Sequence, residues 1–353
     1  MTIQDIGVLT GTNRVLVPSV VKLFDMNLLI VLHHRFDLWN APPWFVERFH
    51  RDFPALDITH RSNYDGIEED IRDAEIVMAW SIRPEQFKAA KKLRWIHSPV
   101  AAVHQLMFSE LIKSDVILTN AREVHGPVVA EHVIALIFAL AKKIPDAVRL
   151  QEKHVWGQAT LWSSPPRPRE VAGATLGLVG LGSIGREVAQ RASALGMRVI
   201  AVREHVKKEK PDSVDQVYAS DQLQTLLQQS DYVVLAVPIT ASTQKLMNAE
   251  RLSEMKPEAC LINVGRGPLI DEVALAAALR THQIGGAALD VFDQEPLPAD
   301  SPLWDLHNLI ITPHTAGLTE KLWERHYQLF SENLRRYLAQ RPLLGVVDKN
   351  KGY

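Results

Sequence analysis

A short apolar run, Leu176 to Val179, breaks into Gly180-x-Gly182-x-x-Gly185 and then into a helical pattern from Arg186 to Leu195. A strand without polar alternation is covered on both faces, as in a parallel sheet flanked by helices. In this arrangement the first glycine makes a tight turn and the second lets a pyrophosphate approach the backbone. The third lets helix and strand pack closely, and the helix start supplies unpaired N–H groups and positive dipole for the phosphates. Glycine spacing alone is a weak signal. Here a strand precedes it, a helix follows, and a second strand, Arg198 to Val202, comes after Gly196. That order places a dinucleotide site on Gly180, Gly182, Ser183, Ile184 and Gly185, ahead of the bland alternative, a glycine-rich turn in some other α/β protein.

A chain of 353 residues suggests two domains, each large enough for its own core. With 46% hydrophobic and 23% charged residues, the composition is that of an ordinary globular protein. A net charge of −2 gives no field that favours nucleic acid or membranes. No apolar stretch is expected to span a bilayer. The single cysteine, Cys260, lies in an apolar stretch and reads as a small buried core residue, which excludes an internal disulfide. The histidines show no paired Cys/His spacing, so no metal is expected. Residues 1–25 have no clear period and lack the basic start and apolar centre of a signal peptide. They read as an N-terminal extension, or as a start set too early with Met26 the true one, and a cytoplasmic protein follows.

From Met26 to about Ala121, strands at Leu28–Leu32, Leu56–Thr59, Ile76–Trp80, Trp95–His97 and Val116–Thr119 alternate with helices beginning near Pro43, Ile67, Pro84 and Gln105. Residues 126–144 form a long helical run, too apolar all round for a surface helix, which fits an interdomain or subunit contact. Ser163 to Arg169 is a proline-rich connector. Further strands are expected at Arg198–Val202, Tyr232–Val237, Ala259–Val264, Gly286–Leu289 and Leu309–Ile311. A last helix, Glu320 to Ala339, is placed to return to the first unit. The pattern predicts two Rossmann-like, doubly wound parallel-sheet α/β domains with the active site in the cleft between them. The expected boundaries are a substrate domain of 26–122 completed by 318–353, and a dinucleotide domain of 123–317.

Ligands of such sheets bind at the carboxyl ends of strands. Those ends carry Val237, Pro238 and Thr243, then Val264, Gly265 and Arg266, then Asp290 and Glu295, then His314 and Ala316. An arginine, an acid and a histidine thus share one edge of one sheet. His314 suits proton exchange with a substrate oxygen, Glu295 suits orientation of that imidazole, and Arg266 suits a carboxylate or carbonyl. Taken singly, each has a plain alternative: a solvated loop arginine, a turn acid beside Pro296, or a hydrogen-bonded buried imidazole. At successive strand ends of one nucleotide domain, the joint functional reading wins.

Val179-Gly-Leu-Gly-Ser-Ile-Gly185, Asn263-Val-Gly-Arg-Gly-Pro-Leu-Ile-Asp271, Leu289-Asp-Val-Phe-Asp-Gln-Glu-Pro-Leu-Pro298 and Thr312-Pro-His-Thr-Ala-Gly317 together resemble the D-isomer-specific 2-hydroxyacid dehydrogenases, and in particular their NADP-linked glyoxylate/hydroxypyruvate reductases. The resemblance implies catalytic roles for Arg266, Glu295 and His314. It also implies a loop whose backbone N–H groups bind the substrate carboxylate, matching Ser98 to His104 with Val100, Ala101 and Ala102 as contacts. Ala102 and His104 stand where the family usually has a glycine and an acid. The dinucleotide contacts implied are the glycine turn, Val237, Pro238, Thr243, Val264, Gly265, Arg266, Asp290 (facing the nicotinamide), His314 and Ala316. Arg203 stands where an NAD site usually has an acid, and its guanidinium suits a 2′-phosphate. NADP(H) is therefore expected ahead of NAD(H), with Glu204 the alternative ribose contact. A hydride transfer to the C2 carbonyl of a small 2-oxo acid is the expected reaction, and a homodimer through the 126–144 helix the expected assembly. The alternatives are a dinucleotide-sensing binding protein of the same fold and a phosphoglycerate dehydrogenase-type activity. Trp80 and Arg83, after a strand of the first unit, are further pocket candidates.

Overall fold

The β-rich stretches sort into two sheets in which every strand pair is parallel. This computed structural model describes residues 26–101, 103–204 and 209–352. The N-terminal extension and Ala102 lie outside the described residues.

The first sheet contains β1 (Met26–Val31), β2 (Leu56–Arg61), β3 (Ile76–Ala79), β4 (Trp95–Ser98) and β5 (Ile117–Asn120), in the order β2-β1-β3-β4-β5. The second contains β6 (Thr175–Val179), β7 (Arg198–Val202), β8 (Gln216–Tyr218), β9 (Tyr232–Leu235), β10 (Cys260–Asn263), β11 (Gly286–Leu289) and β12 (Leu309–Ile311), in the order β12-β11-β10-β9-β6-β7-β8. Strand order reverses between β1 and β3 and again between β6 and β9. Each reversal opens a crevice at the strand ends, which is where doubly wound sheets hold ligands. The short, half-exposed β8 carries no pattern that the sequence reading detected.

Helices α1 (Pro43–Asp52), α2 (Ile67–Asp73), α3 (Pro84–Ala89) and α4 (Ser109–Ile112) connect the first sheet. The passage to the second sheet runs through α5 (Arg122–Ala141), α6 (Ile144–Glu152) and α7 (Gln158–Ser163). Helices α8 (Ser183–Ala194), α9 (Leu223–Gln229), α10 (Ala249–Ser253) and α11 (Glu272–Arg280) connect the second sheet, and α12 (Leu322–Leu338) closes the chain.

Alternation along the strands divides the first sheet's core. Leu28, Ile30, Ile76 and Met78 face α1 and α12, whereas Leu29, Val31, Val77 and Ala79 face Ile67 and Ile71 of α2. Helix α12 contributes Trp323, Tyr327, Phe330 and Leu334, a stripe with the period of one helix face. Full burial of such side chains stabilises by roughly 1.5–3 kcal/mol each. Arg48 of α1 holds Glu324 of α12 at 2.7 Å, and the following tail pairs with β5 through Val347 N–H to Leu118 O at 2.9 Å.

Two expectations change. The long apolar helix stops at Ala141, because Lys143 turns left-handed (φ 54) and Pro145 belongs in the first turn of a new helix. By length and hydropathy α5 also reaches the span of a bilayer, contrary to the expectation that no stretch would. Its apolar surface is used within the fold: Val129, Ala130, Val133, Leu136 and Ile137 pack with Val188, Ala189 and Ala192 of α8 beneath Leu176 and Leu178 of β6. The two helices pass so closely that a Cβ on Gly126 would meet Ser183 O at 3.4 Å.

Candidate active site

The glycine turn has three distinct geometries. Gly180 has a φ of 103°, and a Cβ there would strike Ala236 O at 2.6 Å. A Cβ on Gly185 would strike Gly180 O at 2.2 Å, so helix and turn touch at the backbone. A Cβ on Gly182 would meet nothing within 4 Å. Its backbone borders open space at the start of α8, the position from which phosphate oxygens can reach the first N–H groups of the helix. The residues present therefore fit a dinucleotide pyrophosphate. Ser183 turns its hydroxyl away, donating to Arg122 O at 2.7 Å and tying α8 to the first turn of α5. Ile184 packs on the core under the sheet.

Four strand ends bring the candidate chemistry together. His314 Nδ1 lies 2.6 Å from Glu295 Oε2, and Glu295 Oε1 accepts the Phe292 N–H at 3.0 Å. A carboxylate only accepts, so Nδ1 carries the proton and Nε2 is the remaining ring nitrogen. The His314 backbone is left-handed (φ 54), and its N–H reaches Asp290 O and Thr312 O, each at 2.9 Å. Arg266 leaves the end of β10 in an extended conformation. Burial lowers its pKa, and the Glu295 charge partly restores it.

Asp290 is 1% exposed, and its carboxylate is occupied within the protein. It accepts from Thr312 Oγ1 at 2.6 Å, Thr315 N–H at 2.8 Å and Ala316 N–H at 3.0 Å. Because the Thr312 hydroxyl donates to Asp290, it accepts from His132 Nε2 at 3.1 Å, which fixes the proton on that nitrogen. The Asp290 carboxylate thus clamps the segment on either side of His314, a positioning role that the sequence reading did not assign.

The other candidates spread along the same edge. Thr243 Oγ1 accepts from Thr240 N–H and donates to Pro238 O, both at 2.8 Å, closing the loop that follows Val237. Val264 and Ala316 are buried, and Gly265 N–H is held by Asn263 Oδ1 at 3.0 Å. At the end of β7, the Arg203 guanidinium contacts Glu209 O at 3.3 Å. Across the molecule, Ala101 O accepts from Asn120 Nδ2 at 2.7 Å and Val100 O from Ala121 N–H at 3.1 Å. Trp80 packs edge-on to Trp39 and Trp323, and the Arg83 backbone starts α3 through Gln86.

Asn263 went unrecognised in the sequence. Fully buried, it holds Gly265 N–H and donates to Arg266 O at 2.9 Å, so one side chain shapes the turn that aims the arginine. An Asn two residues before a turn glycine is the local signal for this. His125 was missed too. It lies in the first turn of α5, where burial and the charges of Arg266, Arg325 and His314 bring its pKa down to about 4. Its helical surroundings give no strand-end signal. Cys260 is buried with its thiol pushed up to about 11, an inert core residue.

The sequence model of the D-isomer specific 2-hydroxyacid dehydrogenase NAD binding domain matches residues 134–316, about half of the chain. A glyoxylate reductase of Korarchaeum cryptofilum is 35% identical over 76% of this chain and 81% of its own length. A D-3-phosphoglycerate dehydrogenase of Synechocystis is 35% identical over 76% of this chain, which spans only about half (47%) of that protein. Among solved structures, an NADPH-dependent glyoxylate/hydroxypyruvate reductase of Sinorhizobium meliloti in complex with NADP and sulfate superposes with a TM-score of 0.75 at 26% identity, over 93% of this chain and all of that one. The chain belongs to the D-isomer specific 2-hydroxyacid dehydrogenase family, and as such is an oxidoreductase that couples a nicotinamide dinucleotide to a 2-hydroxy or 2-oxo acid.

Proposed function

We propose that this chain reduces the C2 carbonyl of a small 2-oxo acid, a class that includes glyoxylate and hydroxypyruvate. The site is the cleft between a unit of residues 26–122 with 318–353 and a unit of residues 123–317. The observation that carries the reading is the 2.6 Å contact between His314 Nδ1 and Glu295 Oε2, at strand ends shared with Arg266 and the glycine turn. The dinucleotide, when bound, supplies the hydride. In the imidazolium form, Glu295 holds the Nδ1 proton of His314 while Nε2 gives its own proton to the substrate oxygen as negative charge develops there, leaving the neutral Nδ1–H imidazole. Arg266 offers a planar donor fork to the carbonyl and carboxylate. The loop that contains Val100 and Ala101 holds the carboxylate through backbone N–H groups. Asp290, whose carbonyl and carboxylate both bind the 312–316 segment, keeps His314 in place.

NADP(H) is favoured over NAD(H), because a guanidinium, that of Arg203, follows β7 directly, where a ribose-binding acid would stand. The NADP held by the related Sinorhizobium reductase supports the same choice. A homodimer is favoured by the exposed apolar residues Ile144 and Val148 of α6, Val155 and Trp156 of the connection that follows, and Trp162 of α7, and a reducing compartment such as the cytoplasm by the lone buried thiol.

The test is the rate of NADPH and NADH oxidation with a panel of 2-oxo acids, in the wild type and in His314→Ala. Turnover favouring NADPH is expected. His314→Ala should lower kcat on the order of 10²–10⁴-fold while cofactor binding persists. Cofactor binding without turnover of any acid would instead favour a sensing protein.

A further inference from the structure

Beyond the Arg266, Glu295 and His314 group, a second set of side chains meets at the first turn of α5. The His125 ring abuts the segment that follows His314, since a Cβ on Gly317 would come within 3.3 Å of His125 Nδ1. Its other side meets His326 of α12 edge-on, with ring centroids 5.9 Å apart. Arg325, adjacent on α12, acts electrostatically on the same ring, as do Arg266 and His314. Two guanidinium groups, one from each unit, therefore share one neighbourhood with the proposed proton donor.

The charges there do not balance. Arg325 Nη1 is buried without an acceptor among the described residues. Arg48, Arg61, Arg149, Arg191 and Arg336 all hold a carboxylate within 4.0 Å. No carboxylate of the described residues stands at that distance from Arg325. A buried, unpaired guanidinium nitrogen is costly and calls for a reason. His125 and His326 cannot offset a guanidinium, and because burial lowers both of their pKa values they add no further positive charge near pH 7. Glu295, the carboxylate that acts on Arg266, is already engaged with His314. A substrate's own carboxylate would balance Arg266 and leave the second guanidinium over.

We propose that Arg325, with His125 as its neutral neighbour, recognises a second anionic group on the substrate, so that the preferred substrate is a 2-oxo acid whose side chain carries a further anion such as a carboxylate, sulfonate or phosphate. This rests on the reduction of a 2-oxo acid set out above, and it ranks such acids over glyoxylate and hydroxypyruvate. Arg325 acts on specificity. The proton donor remains His314.

The test compares acids that differ at C3 alone: pyruvate, hydroxypyruvate, oxaloacetate and sulfopyruvate, with full-length enzyme and saturating NADPH. In the wild type, kcat/KM for oxaloacetate or sulfopyruvate is expected to exceed that for pyruvate by about tenfold or more. Arg325→Gln should reduce that ratio by on the order of tenfold, chiefly through KM, and Arg325→Lys should restore part of it. A wild-type ratio near one overturns the inference, and that measurement does not depend on whether any variant folds. An equal loss for all four acids in Arg325→Gln, with the ratio intact, overturns it as well and makes Arg325 structural. Failure of the wild type to reduce any of the four would sink the underlying reading too, and is distinguishable from turnover without the preference.

Discussion

Replacing Asp290 by asparagine isolates what its charge does, because shape and volume are conserved. The carboxylate accepts three hydrogen bonds, two on Oδ1 from Thr312 Oγ1 and Thr315 N–H and one on Oδ2 from Ala316 N–H. An amide has a single acceptor oxygen. The cheapest rotamer keeps that oxygen where Oδ1 stood and points the NH2 group at Ala316 N–H, setting donor against donor. One hydrogen bond to a charged group is lost and a buried N–H is orphaned, which together cost about 2–4 kcal/mol. The His314 N–H to Asp290 O bond, 2.9 Å, belongs to the backbone and survives. The imidazole is therefore loosened rather than released, and kcat should fall by about tenfold, well short of the loss in His314→Ala. Urea unfolding followed by tryptophan fluorescence reads the first quantity and steady-state kinetics the second. A stability change below about 0.5 kcal/mol, with kcat unaltered, would refute the claim that this carboxylate holds the segment.

Glu295→Gln should keep the hydrogen bond to His314 Nδ1 but remove the charge that stabilises the imidazolium, lowering kcat by about tenfold or more with cofactor binding unchanged. Gly185→Ala forces a Cβ to 2.2 Å from Gly180 O, and fluorescence titration should show dinucleotide affinity falling by at least about tenfold. Acid should destabilise the first unit through His97, which is fully buried with its pKa down to about 3. The unfolded chain takes up this proton near pH 6.5 and the folded chain does not, so stability is lost as pH falls from there toward 3, at about 1.4 kcal/mol per pH unit. His97→Gln, compared at pH 6 and 5, should show a shallower slope than wild type; equal slopes would mean that His97 protonates without unfolding.

The second sheet, β8 apart, was legible because β6, β9, β10 and β11 are buried along their whole length and a glycine, proline or charged residue follows each within three residues. Arg198–Val202, Gly286–Leu289 and Leu309–Ile311 match the expected spans residue for residue. Strand ends also announced Arg266, Glu295 and His314, since open-sheet topology dictates where loops gather before any contact is known. The sequence did not disclose partners. Asp290 reads as a strand-ending acid, and only the fold brings Thr312, Thr315 and Ala316 to it from twenty-odd residues away. Likewise His125 and Arg325 are two hundred residues apart on different helices, so no local period could pair them. The α5 boundary failed for a local reason: the apolar run continues past Lys142 and Lys143, while the backbone turns left-handed beneath it.

The return of α12 to the first sheet sets a schedule for synthesis. The face formed by Leu28, Ile30, Ile76 and Met78 is made before the second sheet, but half of its cover, the stripe from Trp323 to Leu334, is made only after it. About two hundred residues separate β5 from α12, which at roughly 5–20 residues per second is a delay of about 10–40 s. During that interval the nascent chain carries a half-covered sheet, while the 123–317 segment can already complete its own core. Of the two sheets, the one begun earlier is thus the one finished later. The enzyme's yield in a cell should depend on whatever shields that bare face until Phe330 arrives.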